Sequence, residues 1–459
     1  MNGRVLRMEL RRSVAPWAGA VILVTTLGFL YLLSGPWWKG SALWTAQWTS
    51  MALWTRTLLL FLWPLAVALG ALQGLRDHRS KVSELLASTP RPIRHRAAVT
   101  AGALSLTLAL AYGLLVLQGA GQVLAHAWYH HAGWLPISLV GGFSLIAGAV
   151  LGMGIGRALP SPLTPPALAV AAFLFTAFVR QWSDSAVPSS NLPNRLTLLS
   201  PSVADVREVL LTLSGRVHAG QTAWLLGMAA TGFALLLAAT PRTRLLALAP
   251  VVAGAAIALL VLPSDPRRTY VVDRAAAAQV CDGPVCVARV HEARLAGLAG
   301  PGRKALGLLH DALGDRAPTT VRETTAPRGL LEQPERSRTT VFVDFDDDAL
   351  ARATGEELTR ALVGQGIAPT CFARSQQESG TLGEIAAQSV VAGWALGTLE
   401  PIRGTVHSPA EQLGTARPVF QELEGLRWSE QVARIRAAHA EAMSCGGDVL
   451  TVLDGGASG

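Results

Sequence analysis

The residues of this chain with the best-defined chemistry are its four cysteines, Cys281, Cys286, Cys371 and Cys445, all placed beyond the last hydrophobic segment. Disulfides persist in oxidising compartments and are rare in a reducing cytosol, so cysteines confined to one end point to an exported end. Cys281-Asp282-Gly283-Pro284-Val285-Cys286 reads as a turn closed by a short disulfide, because Asp-Gly-Pro is strong turn chemistry. Four cysteines allow three pairings, and locality favours Cys371 with Cys445 as the second bridge. A four-thiolate zinc site is the competing reading, but such sites favour two close pairs and only one is present.

Other reactive patterns are incomplete. His291-Glu292 begins like the zinc-protease helix H-E-x-x-H, yet Leu295 stands where the second histidine belongs. There is no G-x-S-x-G elbow. Asp344, Asp346, Asp347 and Asp348 sit where a strand leads into a helix, which suits capping of the helix dipole. A calcium or magnesium site is the other use of such a cluster, and the glycine and terminal glutamate of an EF-hand loop are missing. His126, His130 and His131 precede an apolar segment, where an interfacial loop competes with a metal site. His439 lies beside an apolar stripe, as a boundary histidine or a pH-sensing one. The chain offers no complete catalytic set, no resident cofactor and no metal site, and it is not expected to be an enzyme.

The elements that would carry these residues are mostly membrane spans. Half of the 459 residues are hydrophobic and only 15% are charged, against roughly 25% in soluble domains. Up to Pro263 there are 19 Lys and Arg against 6 Asp and Glu, and from Ser264 onward 20 against 25. The basic excess lies in and between apolar segments, as loop anchors and not as a groove-lining patch, which excludes nucleic acid as a partner. Stretches of about 20 apolar residues, enough to span a bilayer, recur at 14–34, 51–74, 97–121, 135–157, 165–180, 222–240 and 245–263. The first follows a basic start but is too long for a signal peptide and lacks a cleavage site, so it stays as a helix. The span at 165–180 is short and follows Pro-Ser-Pro-Leu-Thr-Pro-Pro.

Loop charges orient these seven spans. Arg4, Arg7, Arg11, Arg12, Arg76, Arg79, Lys81, Arg91, Arg94, Arg96, Arg157, Arg242 and Arg244 share one side. That places the N-terminus in the cytoplasm of a plasma-membrane protein and, after seven crossings, the C-terminus outside, in agreement with the cysteines. Trp37, Trp38, Trp44, Trp48 and Trp54 crowd the outer connection between the first two spans, as an aromatic belt would. Arg56 is a charge inside an apolar helix; near its outer end, it is expected to snorkel to the interface.

The cytoplasmic connection at residues 76–96, RDHRSKVSELLASTPRPIRHR, contains a short amphipathic helix over Ser83–Ser88, stopped at Thr89-Pro90. Such an element lies on a membrane surface or docks into a partner's groove. With the amphipathic start ending Glu9-Leu10-Arg11-Arg12, this loop resembles actinobacterial permease subunits of the ABC-2 type over roughly residues 1–263. The resemblance implies a coupling role for Arg76, Asp77, Arg79, Lys81, Glu84 and Arg91 on a cytoplasmic ABC ATPase. It also implies a second permease half around one pathway, either another copy or a homologue. The usual pattern has six spans, and this chain adds a seventh and an exported domain. Its three lysines, Lys39, Lys81 and Lys304, none of them after a glycine, exclude a phosphate-binding P-loop, so ATP would act through the partner subunit. The alternative is a membrane-anchored binding or sensing protein whose permease-like part is inert.

Residues 264–459 suffice for one domain with its own core. Strands are expected at Thr269–Asp273, Val285–Val290, Thr339–Phe345 and Asp448–Leu453. Helices are expected at Glu292–Ala299, Arg303–Leu313, Asp348–Val363, Leu382–Leu396 and Trp428–Met443, with Gly300-Pro301-Gly302 breaking the first from the second. In the last helix Trp428, Val432, Ile435, Ala438 and Ala442 form the apolar stripe. The fold class is therefore a membrane all-α bundle followed by an extracytoplasmic α/β or α+β domain. Alkaline phosphatase fused after Gly459 should be active and a fluorescent protein fused there dark; the reverse would overturn this orientation.

Overall fold

The computed structural model of the chain describes residues 13–33, 35–38, 43–79, 92–181, 194–202, 209–325, 333–345, 347–372 and 380–456. It is mostly helical and divides into two compact units, Met1–Val271 and Val272–Gly459.

In the first unit the helices are α1 (Ala15–Leu32), α2 (Trp48–Thr57), α3 (Leu59–Gly74), the single turn α4 (Arg76–Arg79), α5 (Ile93–His126), α6 (Trp134–Ala158), α7 (Thr164–Gln181), α8 (Gly215–Leu237), α9 (Pro241–Leu246) and α10 (Ala249–Val261). Strands β1 (Leu211–Leu213) and β2 (Tyr270–Val272) pair with each other. Among the described residues five helical stretches are long and apolar enough to cross a membrane: α1, α5, α6, α8 and the run Pro241–Val261. The pair α2 and α3, bent by 51° at Leu58, raises the number to six if counted as one span. Of the seven expected spans, 165–180 corresponds to α7, whose apolar part, Thr164–Val179, belongs with the shorter apolar helices.

Close backbone approach holds these helices together. A Cβ on Gly70 or Gly74 of α3 would run into the backbone of Ala149 or Met153 on α6. One on Gly152 or Gly156 of α6 would run into Val67 or Ala71 on α3. Both pairs are spaced four apart, so each helix presents a smooth groove for the other, the packing that works where no hydrophobic effect separates helix from lipid. Conversely, Leu106, Leu110, Leu114 and Leu117 stand exposed along α5, a stripe suited to hydrocarbon and costly in water.

Of the five tryptophans expected in a belt, Trp44 and Trp48 are buried and Trp38 is 41% exposed. Trp44 has no exposed surface and meets Tyr31 and Trp38 edge-on, each at 6.0 Å between ring centroids, while Trp48 stacks on Trp134 at 5.1 Å. A belt ring keeps one edge in the headgroup layer, whereas Trp44 and Trp48 are buried against other rings.

The second unit mixes a four-stranded sheet with helices. The strands are β3 (Gln279–Asp282), β4 (Val285–Ala288), β5 (Thr320–Glu323) and β6 (Thr340–Val343), in the spatial order β3-β4-β5-β6. The β3–β4 pair is an antiparallel hairpin and the other two pairs are parallel. A parallel pair needs a crossover, and α11 (Glu292–Leu313) supplies the one between β4 and β5. Helices α12 (Asp348–Ala351), α13 (Gly355–Ile367), α14 (Leu382–Leu396), α15 (Pro409–Glu424), α16 (Trp428–Ser444) and α17 (Val449–Leu453) follow. The core joins Val285, Val287, Val321 and Val343 of the sheet to Leu309, Leu362, Val390, Val391 and Ile435 of the helices.

Several expected elements come out differently. Gly300-Pro301-Gly302 does not break α11: Leu298, Ala299, Ala305 and Leu309 bury one continuous face and Gly302 packs against Val285, so tertiary burial outweighs the bond lost at Pro301. The stretch Asp448–Leu453 is helical, because the Asp448 carboxylate accepts the Leu450 N–H and Val449 and Leu453, one turn apart, are both buried. The helix expected over Asp348–Val363 is two, since the chain is extended at Thr354 and takes φ +54° at Gly355. The stripe of α16 is shorter than expected: Ile435, Ala438 and Ala442 are buried, but Trp428 is 67% exposed and stacks on Trp394.

Cys281 is bonded to Cys286 across the β3–β4 hairpin, and Cys371 to Cys445 just past the end of α16. The second bridge closes a loop with a sequence separation of 74 and the first one of 5. Loop-closure entropy therefore predicts that Cys371→Ala with Cys445→Ala costs about 4 kcal/mol and Cys281→Ala with Cys286→Ala about 2 kcal/mol. Chemical denaturation of the full chain with each pair removed measures the difference.

Candidate functional site

The charge that the first unit buries most completely is Arg56, with 0% exposure. It lies in the last turn of α2, immediately before the 51° break into α3, where the unpaired carbonyls of a helix end favour a cation. Its Nη2 donates to the Pro201 carbonyl at 2.9 Å and to Gln221 Oε1 at 3.1 Å. Gln221, on α8, in turn donates through Nε2 to the Leu198 carbonyl at 2.9 Å, and Ser202 donates to the Thr57 carbonyl at 3.2 Å. Arg56 and Gln221 thereby hold the segment 197–202, otherwise poor in regular structure, against the helices. The expected snorkelling does not occur: the side chain turns inward because it meets carbonyl oxygens there, an alternative the apolar sequence around it does not advertise.

Several polar atoms of this unit lack a partner, two of them on Arg56 itself. Arg56 Nε and Nη1, Ser138 Oγ, His218 Nδ1, Ser214 Oγ and Thr269 Oγ1 are buried without a hydrogen-bond partner. Tyr112 and His218 are within electrostatic range of Arg56, and Tyr112 also contacts Thr55 at 3.4 Å. Gly141 on α6 makes room for both: a Cβ there would meet the Tyr112 hydroxyl and stand 3.3 Å from Arg56 Cγ. Asp77 and Asp265 are the carboxylate residues among the described part of this unit, and Asp265 caps its own turn at Arg267.

The sequence-predicted coupling residues are placed only in part. Arg76, Asp77 and Arg79 lie on α4; Lys81, Glu84 and Arg91, with the expected helix at Ser83–Ser88, lie outside the described residues. The three loop histidines do not converge. His130 Nδ1 accepts from Trp48 at 3.0 Å, His131 contacts the Thr49 hydroxyl at 3.3 Å, and His126 faces the Gln122 carbonyl. Among the described residues no group of three His, Cys, Asp or Glu side chains could hold a metal ion.

The second unit contains a cleft of about 260 Å³ whose lining includes Glu335, Phe342, Asp344, Asp347, Thr370 and Gln388. Of the four-aspartate cluster, Asp347 accepts the Ala349 N–H at 2.9 Å, the expected capping role, and Asp344 joins it at the cleft. Asp346 and the side chain of Asp348 lie outside the described residues. The partner of His291 carries no mark in the sequence: Glu323 on β5, 4% exposed, accepts the Ala288 N–H and faces His291 Nδ1, both at 2.7 Å. The His291 ring stands edge-on to Phe345, over which Arg294 lies at 4.8 Å. This group ties β4 to β5; the isolated glutamate of a four-residue strand carries no sequence signal for it.

No family model, curated protein or solved structure matches the chain.

His439 of α16 is half-buried and its Nδ1–H donates to the Ile367 carbonyl at 3.0 Å. Burial lowers its pKa below the ordinary 6.5, with Arg338 acting in the same direction and the Ile367 bond opposing. The folded chain therefore holds the proton less tightly than the unfolded one. The stability contributed by neutral His439 is present above about pH 6.5 and is lost as pH falls towards the depressed value. His439→Asn should flatten the acid side of the unfolding midpoint measured from about pH 7.5 to about pH 5. An unchanged profile would remove His439 from the balance.

Proposed function

We propose that the chain is the integral membrane permease subunit of an ABC-2-type exporter, working with a separate cytoplasmic ATPase. The observation that carries this reading is a unit rich in membrane-length apolar helices, in which the bent pair α2–α3 is followed by the basic connection 76–96 and the long α5. The bent pair α2–α3 and the shorter α7 count as spans in this reading, giving seven crossings, a cytoplasmic N-terminus and an extracytoplasmic second unit. The two disulfides agree with that side of the plasma membrane. A chain with three lysines, none following a glycine, needs its nucleotide chemistry from elsewhere. Arg76, Asp77, Arg79, Lys81, Glu84 and Arg91 would engage the ATPase, and a second permease copy would complete the pathway through the lipid.

The cleft of about 260 Å³ in the second unit favours a second reading, a membrane-anchored extracellular binding or sensing protein with an inactive permease-like part. Affinity purification of the tagged chain from its native membrane in gentle detergent separates the two. A stoichiometric P-loop ATPase is expected from the permease reading; its reproducible absence with folded, inserted protein supports the anchor. Glu84→Arg with Arg91→Glu should abolish coupled transport while leaving membrane insertion intact, and unchanged transport would exclude the coupling role.

A further inference from the structure

Among the described residues, Arg56 is a fully buried cation held only by neutral acceptors. Its partners are a backbone carbonyl and a glutamine oxygen, both on Nη2, while Nε and Nη1 have none. In the same unit the hydroxyls of Ser138, Ser214 and Thr269 are also buried without a partner and are able to donate. A buried charge is normally paired, and a guanidinium with two unpartnered nitrogens is complementary to an anion. The site also sits at a break between two helices, and interrupted helices are where membrane transporters place polar binding groups.

We propose that Arg56 is the recognition point for an oxyanion, a carboxylate or phosphate group, inside the first unit. The inference rests on the permease reading only in identifying that anion as part of the transported molecule. Covalent geometry adds a consequence. A guanidinium grips an oxyanion bidentately through Nη1 with Nη2 or through Nε with Nη2, so Nη2 belongs to both forks. Nη2 is the nitrogen now engaged with Pro201 and Gln221. An oxyanion in either fork must displace at least one of them, and each anchors the segment 197–202: Pro201 directly, Gln221 through its bond to the Leu198 carbonyl. Binding the anion and loosening that segment are therefore one event.

The test uses the full chain in phosphatidylcholine nanodiscs, titrated with inorganic phosphate and with acetate while the thermal unfolding midpoint is followed. A parallel sample in nanodiscs containing phosphatidylglycerol, without added anion, offers a lipid headgroup as the source. Hydrogen exchange of the backbone amides from Leu198 to Ser202 is read in each. The expected result is a saturable rise in midpoint accompanied by faster exchange of that segment. Arg56→Lys, which keeps the charge but loses the fork, should weaken the response about tenfold. A response confined to the phosphatidylglycerol discs assigns the oxyanion to a lipid; one to phosphate or acetate assigns it to a soluble solute. No response of the folded wild-type chain to either source overturns the proposal, as does an equal response from Arg56→Lys. Anion binding without a co-purifying ATPase would leave this site standing and remove the permease reading, whereas an ATPase without anion binding would do the opposite.

Discussion

Where water is absent, every polar group must be met by protein, and the first unit is organised around that demand. Its helices satisfy their own backbones, which is why apolar helices of membrane length dominate it. The irregular segment 194–202 cannot do so alone. Its carbonyls at Leu198 and Pro201 are met by Gln221 and Arg56, so irregular backbone is tolerated among packed helices because two side chains complete it. The same demand makes Arg56 conspicuous: it supplies more donors than its surroundings accept.

Helix contact in this unit follows from the small residues that permit it. Gly70 and Gly74 meet α6 where Gly152 and Gly156 meet α3, so the two backbones approach within reach of dispersion and weak C–H···O contacts. Large side chains such as Leu59, Leu62, Trp63, Leu145 and Met153 fill the space beside those glycines, while the leucine stripe of α5 stands exposed. The second unit obeys a different economy. Its sheet and helices bury valine and leucine in a core of the kind water drives together, with two disulfides at the periphery of that core.

Much of this was legible residue by residue. Length and composition of the apolar runs mark α1, α5, α6, α8 and the run ending at Val261, and Asp-Gly-Pro between Cys281 and Cys286 marks the hairpin that their bridge closes. The remaining elements are short or disguised in the sequence. Strand β5 has four residues, Thr-Val-Arg-Glu, too few for an alternation to register. Helix α15 carries Pro409 and Pro418, which read as breakers, although Ser408 and Glu411 form a capping box at its start. Of the candidate sites, the loop histidines and the aspartates were visible as clusters, but nothing nearby in the chain announced that His291 would face Glu323 or that Arg56 would face Gln221.

The sequence by itself determined the membrane-length helices, the confinement of cysteines to the second unit and the lack of a P-loop, since each depends on composition or on residues adjacent in the chain. Tertiary structure decided where Arg56 points, whether Pro301 breaks its helix and whether Asp448–Leu453 is strand or helix. Those outcomes turn on burial and on partners far along the chain: Pro201 lies 145 residues from Arg56 and Gln221 lies 165. A local pattern sets propensities of a few tenths of a kcal/mol to about 1 kcal/mol per residue, and a packed face or a buried charge outweighs them.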